Sequence, residues 1–105
     1  GGMLEAARRR MIILVDGFIT TSAFMAAYAI CPVVRDYSLF AHCSNEHGHK
    51  KMLEHVGARA VLDLDLRLGE GTGSALVYPV IQGSVAMLND MTSFGEAKVY
   101  NIADN

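Results

Sequence analysis

The sequence predicts an α/β fold built on parallel strands, and three observations support that prediction. Residues 11–15 form an unbroken apolar run closed by Asp16 and Gly17, which is typical of a strand buried on both faces and therefore of a parallel strand. Residues 38–43 form a second strand-like run. The segment between the two runs is long enough and apolar enough for a right-handed crossover helix, so together they predict one βαβ unit.

Composition indicates one domain or one piece of a larger domain. Of the 105 residues, 51% are apolar and 19% are charged, against about 45 to 50% and about 25% in ordinary soluble domains. A domain of this size buries only about two thirds of the surface that its unfolded chain exposes. We therefore expect part of the apolar surface to meet another segment or a second copy of the chain.

Charge and cysteine content exclude several classes of partner. A formal net charge of −2 provides no field for binding a nucleic-acid backbone. The two longest uncharged stretches contain proline and polar residues and fall short of the ~20 apolar residues of a membrane span. Two cysteines are too few for a disulfide framework and suit a reducing compartment. We predict a cytoplasmic protein without nucleic-acid or membrane partners.

The first half of the chain contains two predicted helices. Residues 3–10 are good helix formers that begin without a capping residue, as if the helix started upstream. Hydroxyl side chains at residues 20–22 are placed to cap the crossover helix, which runs to about Ile30. Pro32 stops that helix.

A polar loop, residues 44–49, leads into the next predicted helix. Met52, Leu53 and Val56 share one face of that helix, and Gly57 ends it. The segment therefore adds a helix with one apolar face after the second strand.

The last third of the chain contains a predicted strand and a long helix. Leucines alternate with charged residues over 61–68, which predicts a half-exposed strand. The glycine-rich residues 69–73 then open a helix over about 75–91. Pro79 fits this helix only in its first turn or at a kink. Residues 93–105 form a polar tail.

Three loops follow the ends of the predicted strands, at residues 16–18, 42–46 and 69–73. In an open parallel sheet, ligands bind beyond the carboxyl ends of the strands, where such loops gather. We therefore expect polar and acidic side chains from these loops to meet at one rim.

Two interpretations stay open for this rim. Asp16 either contacts a ligand or caps the next helix. Gly69, Gly71 and Gly73 allow positive φ angles and close backbone approach, so that helix amides could receive an anion or a carboxylate. The alternative is a flexible turn with Glu70 in water.

A cluster of imidazole and thiol side chains offers a different chemistry. His42, Cys43, His47 and His49 could bind zinc or pair as base and nucleophile. Their spacing matches no standard zinc finger, and a hydrogen-bonding loop is the alternative. Cys31 and Cys43 are most simply thiols of the core.

Four segments together carry a resemblance to a known enzyme family. They are Ile13-Leu14-Val15-Asp16-Gly17-Phe18-Ile19, then His42-Cys43-Ser44 with Glu46 and Gly48-His49, then Leu66-Arg67-Leu68-Gly69-Glu70-Gly71-Thr72-Gly73, and Leu88-Asn89-Asp90-Met91. Their order and spacing resemble the C-terminal third of the nicotinate-nucleotide:dimethylbenzimidazole phosphoribosyltransferases along nearly the whole chain. The combination of motifs is specific, although no single motif decides it.

The resemblance implies a fold and a reaction. This family transfers phosphoribose from nicotinate mononucleotide to 5,6-dimethylbenzimidazole, giving α-ribazole phosphate and nicotinate for the lower ligand of cobalamin, with no metal cofactor. The full-length protein would be a pentosyltransferase and a homodimer. Residues 1–105 would be a single C-terminal fragment of a doubly wound, mainly parallel α/β domain, whose last helix and tail are candidates to join a small helical bundle.

The resemblance also implies roles for residues at the rim. The family's catalytic base falls on Glu70. The substrate-binding residues that carry over are Asp16, Gly17, Phe18, Ser44, Glu46, Gly69 and Gly71. Because the family's other phosphate-binding loop and most of its sheet lie upstream, we expect the isolated chain to be inactive and to associate with itself. Two other hypotheses are a fragment that only packs or dimerises, and a zinc or thiol site at the imidazole cluster.

Overall fold

The computed structural model describes residues 1–67 and 69–91, and it shows a small parallel sheet flanked by helices. Strand β1 (Ile13–Val15) pairs with strand β2 (Ser38–Phe40) in parallel, with Val15 opposite Phe40. Helix α1 (Gly2–Arg8) precedes β1, and helix α2 (Phe18–Ile30) with a 3-10 helix (Pro32–Tyr37) connects the strands. Helices α3 (His47–His55) and α4 (Thr72–Asp90) follow β2. The predicted α/β class and the parallel βαβ unit are confirmed.

The core lies between the sheet and helices α2 and α3. Val15, Phe24, Val34 and Phe40 have almost no exposed surface, and the rings of Phe24 and Phe40 meet edge to face at 4.9 Å between centroids. Aromatic pairs in this geometry add about 0.5 to 1.5 kcal/mol beyond the area they bury. The first half of the chain therefore contains most of the packed core.

Helix α3 ends as predicted at Gly57, which has a φ of +63°. The Gly57 N–H donates to Glu54 O and the Ala58 N–H to Leu53 O, a pairing that satisfies the last carbonyls of a helix. The Arg35 guanidinium donates to the carbonyls of Val56 and Gly57, so the connection before β2 also holds this helix end.

The predicted cap of α2 is wrong. The helix begins at Phe18 after Gly17, and no side chain caps it, so the hydroxyls at 20–22 lie inside its first turns. The Thr21 hydroxyl donates to Gly17 O and the Ser22 hydroxyl to Phe18 O. A hydroxyl four residues into a helix can bond back to its own helix in this way, so a run of such residues does not fix where the helix begins.

The predicted strand over residues 61–68 is also wrong for residues 61–67, and Leu68 lies outside the described residues. Leu62 forms a single parallel bridge to His42, and the Val61 N–H donates to Phe40 O of β2. Asp65 then adopts a φ of +53°, and Leu64 is 56% exposed. Alternating leucines favour a strand only where something covers their common face, and no described element covers Leu64.

Helix α4 confirms the predicted long helix, which begins three residues earlier than expected. Pro79 is its eighth residue, so the first-turn placement is wrong, and the Ala75 carbonyl loses the donor that a helix supplies four residues on. Of its side chains only Val77 is buried, whereas Leu88 is 84% exposed. The expected uncovered apolar surface is therefore concentrated on this helix.

Two further findings concern the predicted partners and the chain end. Within residues 1–67 and 69–91, no helix is long and apolar enough to cross a membrane. The predicted polar tail, residues 93–105, lies outside the described residues.

Candidate active site

A cleft of about 950 Å³ opens at the carboxyl ends of β1 and β2, where the N-termini of α2, α3 and α4 meet. The three loops that the sequence places at one rim do converge there. All the predicted site residues line the cleft: Asp16, Gly17, Phe18, Ser44, Glu46, Gly69, Glu70 and Gly71. Parallel strands bring the loops at residues 16–18 and 42–46 to the same edge, and hydrogen bonds from the N–H groups of Gly71 and Ser74 to the Asp16 carboxylate hold the glycine-rich loop there.

Asp16 ties the end of β1 to the start of α4. Its carboxylate accepts the N–H of Gly71 at 3.2 Å and the N–H of Ser74 at 3.1 Å. It therefore caps α4 rather than α2, so the alternative in which Asp16 caps the next helix does not hold. These two N–H groups are therefore not free to bind an external anion. The negative charge of the carboxylate also interacts favourably with the dipole of α4 at its N-terminus.

The glycine-rich loop adopts left-handed backbone at two consecutive residues. Gly71 has a φ of +79°, as glycine permits, but Glu70 has a φ of +60° although it is not glycine. Such a backbone costs of the order of 1 kcal/mol for a residue with a Cβ and is enriched at functional sites, although Arg10 and Asp65 also adopt it outside the cleft. The Glu70 side chain is exposed and lines the cleft.

Gly73 provides the close approach that the glycine spacing predicts. A Cβ at this position would lie 2.1 Å from His42 Cδ2 and 2.7 Å from Asp16 Oδ1. Only glycine therefore allows the first turn of α4 to pack against these two side chains. Gly69 does not provide such a close approach, because a Cβ at this position would meet nothing within 4 Å.

His49 joins α3 to α2 and to the cleft loop. The Ser44 N–H donates to His49 Nδ1 at 2.9 Å, so Nε2 carries the proton and donates to Thr21 Oγ1 at 2.9 Å. The Thr21 hydroxyl in turn donates to Gly17 O. Burial lowers the pKa of His49, and nearby His42 lowers it further, against an opposing contribution from Asp16. A neutral imidazole thus holds Ser44 at the cleft.

His42 is the second buried histidine, and it lies in the wall of the cleft. Its side chain is 1% exposed, and neither ring nitrogen has a hydrogen-bond partner among the described residues. Nε2 lies 3.8 Å from Asp16 Oδ1, which is too long for a hydrogen bond. The two histidine rings are 6.3 Å apart.

The imidazole and thiol cluster is not assembled as a metal centre in the part of the chain that the structure describes. No group of three or more His, Cys, Asp or Glu side chains is placed there to hold an ion. His47 is exposed on α3, whereas both nitrogens of His49 are engaged within the protein. Cys31 is exposed at the end of α2 and Cys43 is half-buried, so the prediction of two core thiols is wrong for Cys31.

Ser74 and Arg67 are among the cleft residues that sequence reasoning did not predict as site residues. Ser74 donates its N–H to Asp16 and its hydroxyl to Leu14 O at 3.3 Å, which joins α4 to β1. Arg67 is the only Lys or Arg among the described lining residues. Its position two residues before the glycine-rich loop is a signal that could have indicated it.

Comparison with known proteins places this cleft in a family. A family model described as "Phosphoribosyltransferase" matches residues 1–99. The nicotinate-nucleotide–dimethylbenzimidazole phosphoribosyltransferase of Janthinobacterium sp. (strain Marseille) is 54% identical over 99 residues, and that of Shewanella baltica (strain OS155) is 56% identical. The chain belongs to the nicotinate-nucleotide:dimethylbenzimidazole phosphoribosyltransferase family. The resemblance predicted from the four motif segments is thereby confirmed.

The solved structures agree with this family and show how much of it the chain represents. The crystal structure of the family member from Thermus thermophilus matches with a TM-score of 0.88 and 38% sequence identity, over 94% of this chain. The match covers 30% of that structure, and 29% and 28% of the Janthinobacterium and Shewanella relatives. The chain therefore spans under a third of the length of these family members.

Proposed function

We propose that this chain contributes the catalytic base and one wall of the cleft of an enzyme that transfers phosphoribose from nicotinate mononucleotide to 5,6-dimethylbenzimidazole. The products are α-ribazole phosphate and nicotinate. The observation that carries the proposal is the convergence of Glu70 with the seven predicted substrate-binding residues on one cleft. Membership of the family supports the same reaction.

The chemistry of the transfer explains the role of Glu70. One benzimidazole nitrogen attacks the anomeric carbon while the other nitrogen still carries its hydrogen, so the ring becomes cationic as the bond forms. A carboxylate within hydrogen-bond reach can accept that proton. A glutamate side chain is ordinarily ionised at neutral pH. The bond to the pyridinium breaks at the same carbon and releases a neutral pyridine ring, so the leaving group needs no acid.

The charge of the cleft suits these cationic rings. Its described lining carries the carboxylates of Asp16, Glu46 and Glu70 against the single guanidinium of Arg67. Negative charge placed in advance where positive charge develops stabilises a transition state without reorganisation. Asp16 is already engaged by two backbone amides, which leaves Glu46 and Glu70 as the exposed carboxylates that face a substrate.

An assay of a chimeric enzyme tests this proposal. The segment of the Shewanella baltica relative that matches this chain is replaced by residues 1–99, and the product is analysed by chromatography and mass spectrometry. We expect α-ribazole phosphate and nicotinate in equal amounts from the chimera and no turnover from the isolated chain. A folded chimera without transferase activity would contradict the proposal, and turnover by the isolated chain would contradict its need for the remaining segments.

A second candidate function, packing or dimerisation alone, is favoured by the exposed apolar side chains of α4. Tyr78, Val80, Val85 and Leu88 all face solvent. We propose that they are covered by other segments of the enzyme or, in the isolated chain, by a second copy. Sedimentation of the isolated chain should show a dimer or a larger oligomer, whereas a stable monomer at micromolar concentration would contradict this.

Paired substitutions locate the self-association surface. Val85→Glu with Leu88→Glu places two charges on one face of α4 and should shift the chain toward monomer. Gln82→Glu with Asn89→Asp adds the same charge at exposed polar positions of the same helix and is the matched control. Equal dissociation by both pairs would indicate a nonspecific effect of charge.

A further inference from the structure

His42 is a buried polar residue that the proposed reaction does not use. Neither of its ring nitrogens has a partner among the described residues, and its side chain is 1% exposed. An unpaired buried donor or acceptor is destabilising, and buried polar groups are nearly always paired. The presence of an imidazole rather than an apolar side chain at this position therefore needs an explanation.

The backbone around His42 is shaped to admit its ring. A Cβ on Gly73 would lie 2.1 Å from His42 Cδ2, and a Cβ on Gly17 would lie 3.2 Å from its Nε2. The ring is thus held between the β1–α2 connection and the first turn of α4, with glycine on both sides. Its Nε2 edge faces the Asp16 carboxylate, at 3.8 Å from Oδ1.

Asp16 lies between His42 and the loop that carries the proposed base, Glu70. Its Oδ1 accepts the Ser74 N–H, and its Oδ2 accepts the N–H of Gly71, the residue next to Glu70. A displacement of about 1 Å would bring His42 Nε2 within hydrogen-bond distance of Oδ1. A hydrogen bond to a charged carboxylate is stronger than one between neutral groups. This contact would therefore hold the Asp16 carboxylate in place, and that carboxylate in turn holds the glycine-rich loop at residues 69–73.

We propose that His42 is a positioning residue for the transfer reaction: through Nε2–H it orients Asp16, and Asp16 holds the Gly71 backbone that aims Glu70 into the cleft. The inference rests on the proposed role of Glu70 as the base. His42 does not touch the substrate, because both of its ring nitrogens are inaccessible. Its loss should therefore affect the rate of reaction more than the binding of nucleotide.

Kinetics of His42 variants in the chimeric enzyme test the proposal. His42→Leu should lower kcat by about 10 to 10²-fold, the loss expected from misplacing a reacting group by about 1 Å, while the KM for nicotinate mononucleotide changes by less than roughly 3-fold. His42→Gln, whose amide N–H can replace Nε2–H, should recover most of kcat. His42→Asn keeps an amide but cannot reach Asp16 in the same way, so it should resemble His42→Leu.

Two further readouts separate positioning from a general structural role. In an Asp16→Asn background, His42→Leu should produce little additional loss of kcat, because both changes break the same connection. Hydrogen exchange of the peptide that contains Gly71 and Ser74 should be faster in His42→Leu and restored in His42→Gln. This readout does not depend on turnover.

Several results would overturn the proposal. Wild-type kcat in His42→Leu would remove His42 from any positioning role, and equal kcat in the Gln and Asn variants would remove the contact with Asp16. If His42→Leu does not fold, the comparison of Gln with Asn still decides. Different results would contradict the proposed function itself: an inactive wild-type chimera, or normal turnover of Glu70→Gln.

Discussion

Two buried histidines, 6.3 Å apart, have opposite surroundings in this protein. His49 has both ring nitrogens hydrogen-bonded, to Ser44 and to Thr21, and these bonds join α3 to α2. His42 has neither nitrogen bonded among the described residues and lies against the start of α4. The same residue type therefore serves the framework at one position and the cleft at the other.

The contrast extends to the regions around the two residues. Around His49, both ring nitrogens are hydrogen-bonded, and the Thr21 hydroxyl also donates to Gly17 O. Around His42, the structure has an unpaired imidazole and a left-handed backbone at Glu70, both unfavourable for stability. Unfavourable features of this kind concentrate where a protein binds or reacts. The comparison supports the proposal that the α4 side of the cleft is arranged for function at some expense of stability.

Among the substitutions tested by unfolding, Gly73→Ala should produce the largest loss of stability. Its Cβ would meet the ring of His42 and the Asp16 carboxylate, so the first turn of α4 must move. We expect a loss of about 3 kcal/mol in the free energy of unfolding, at the upper end of the usual range for overpacking, measured by urea denaturation of the purified chain.

Gly48→Ala is the matched control for this substitution. A Cβ at Gly48 would lie 3.2 Å from Cε2 of Phe18, which is the end of a movable side chain, and alanine favours the helix. The free energy of unfolding should change by less than about 1 kcal/mol. Equal losses at both glycines would show that the α4 side of the cleft is not unusually constrained.

Replacement of each histidine by leucine tests the difference between the two histidines directly. His49→Leu leaves the Ser44 N–H without an acceptor and removes the donor to Thr21 Oγ1, although the Thr21 hydroxyl still donates to Gly17 O, and it should lower the free energy of unfolding by about 2 kcal/mol. His42→Leu removes no hydrogen bond present in the described structure, so stability should change by less than about 1 kcal/mol. Denaturation curves that rank the two variants the other way would contradict the division into framework and cleft.

The pH dependence of stability is the smallest expected effect. Burial lowers the pKa of His49 below its ordinary value of 6.5, so the unfolded chain takes up this proton first as pH falls. The folded state therefore loses stability as the pH falls below about 6.5 toward the lowered pKa of His49. Above about pH 6.5 this group causes no loss of stability. The difference between wild type and His49→Leu in unfolding free energy should shrink over that interval. A constant difference from about pH 7.5 to about pH 5 would contradict the assignment.

The fold and the lining of the cleft were largely predictable from the sequence. The apolar run before Asp16 predicted a parallel strand, and parallel strands require that the loops of Asp16 and Ser44 meet at one edge. The loop of Glu70 follows no strand within the described residues, and the N–H groups of Gly71 and Ser74 join it to this edge by donating to the Asp16 carboxylate. The family motifs added the expected roles of these residues, and the comparisons confirmed the family.

What the sequence could not show depends on partners distant along the chain. Asp16 caps a helix through amides that lie 55 and 58 positions later in the chain, whereas local spacing favours the nearer helix. The leucines near Leu64 alternate as in a strand, but their spacing does not show whether another element packs against them, and Leu64 is in fact exposed. The two histidines look alike in the sequence because the partners that distinguish them lie on other elements.

The central claim, that Glu70 accepts the proton released by the attacking base, is tested most directly by the single-turnover rate of Glu70→Gln in the chimeric enzyme. Glu54→Gln, at an exposed position of α3 that does not line the main cleft, is the matched control. We predict a rate about 10² to 10⁴-fold lower for Glu70→Gln, with nucleotide binding nearly unchanged and Glu54→Gln at the wild-type rate. A Glu70→Gln rate within roughly 3-fold of wild type would contradict the account, because the loss of a general base cannot be so small.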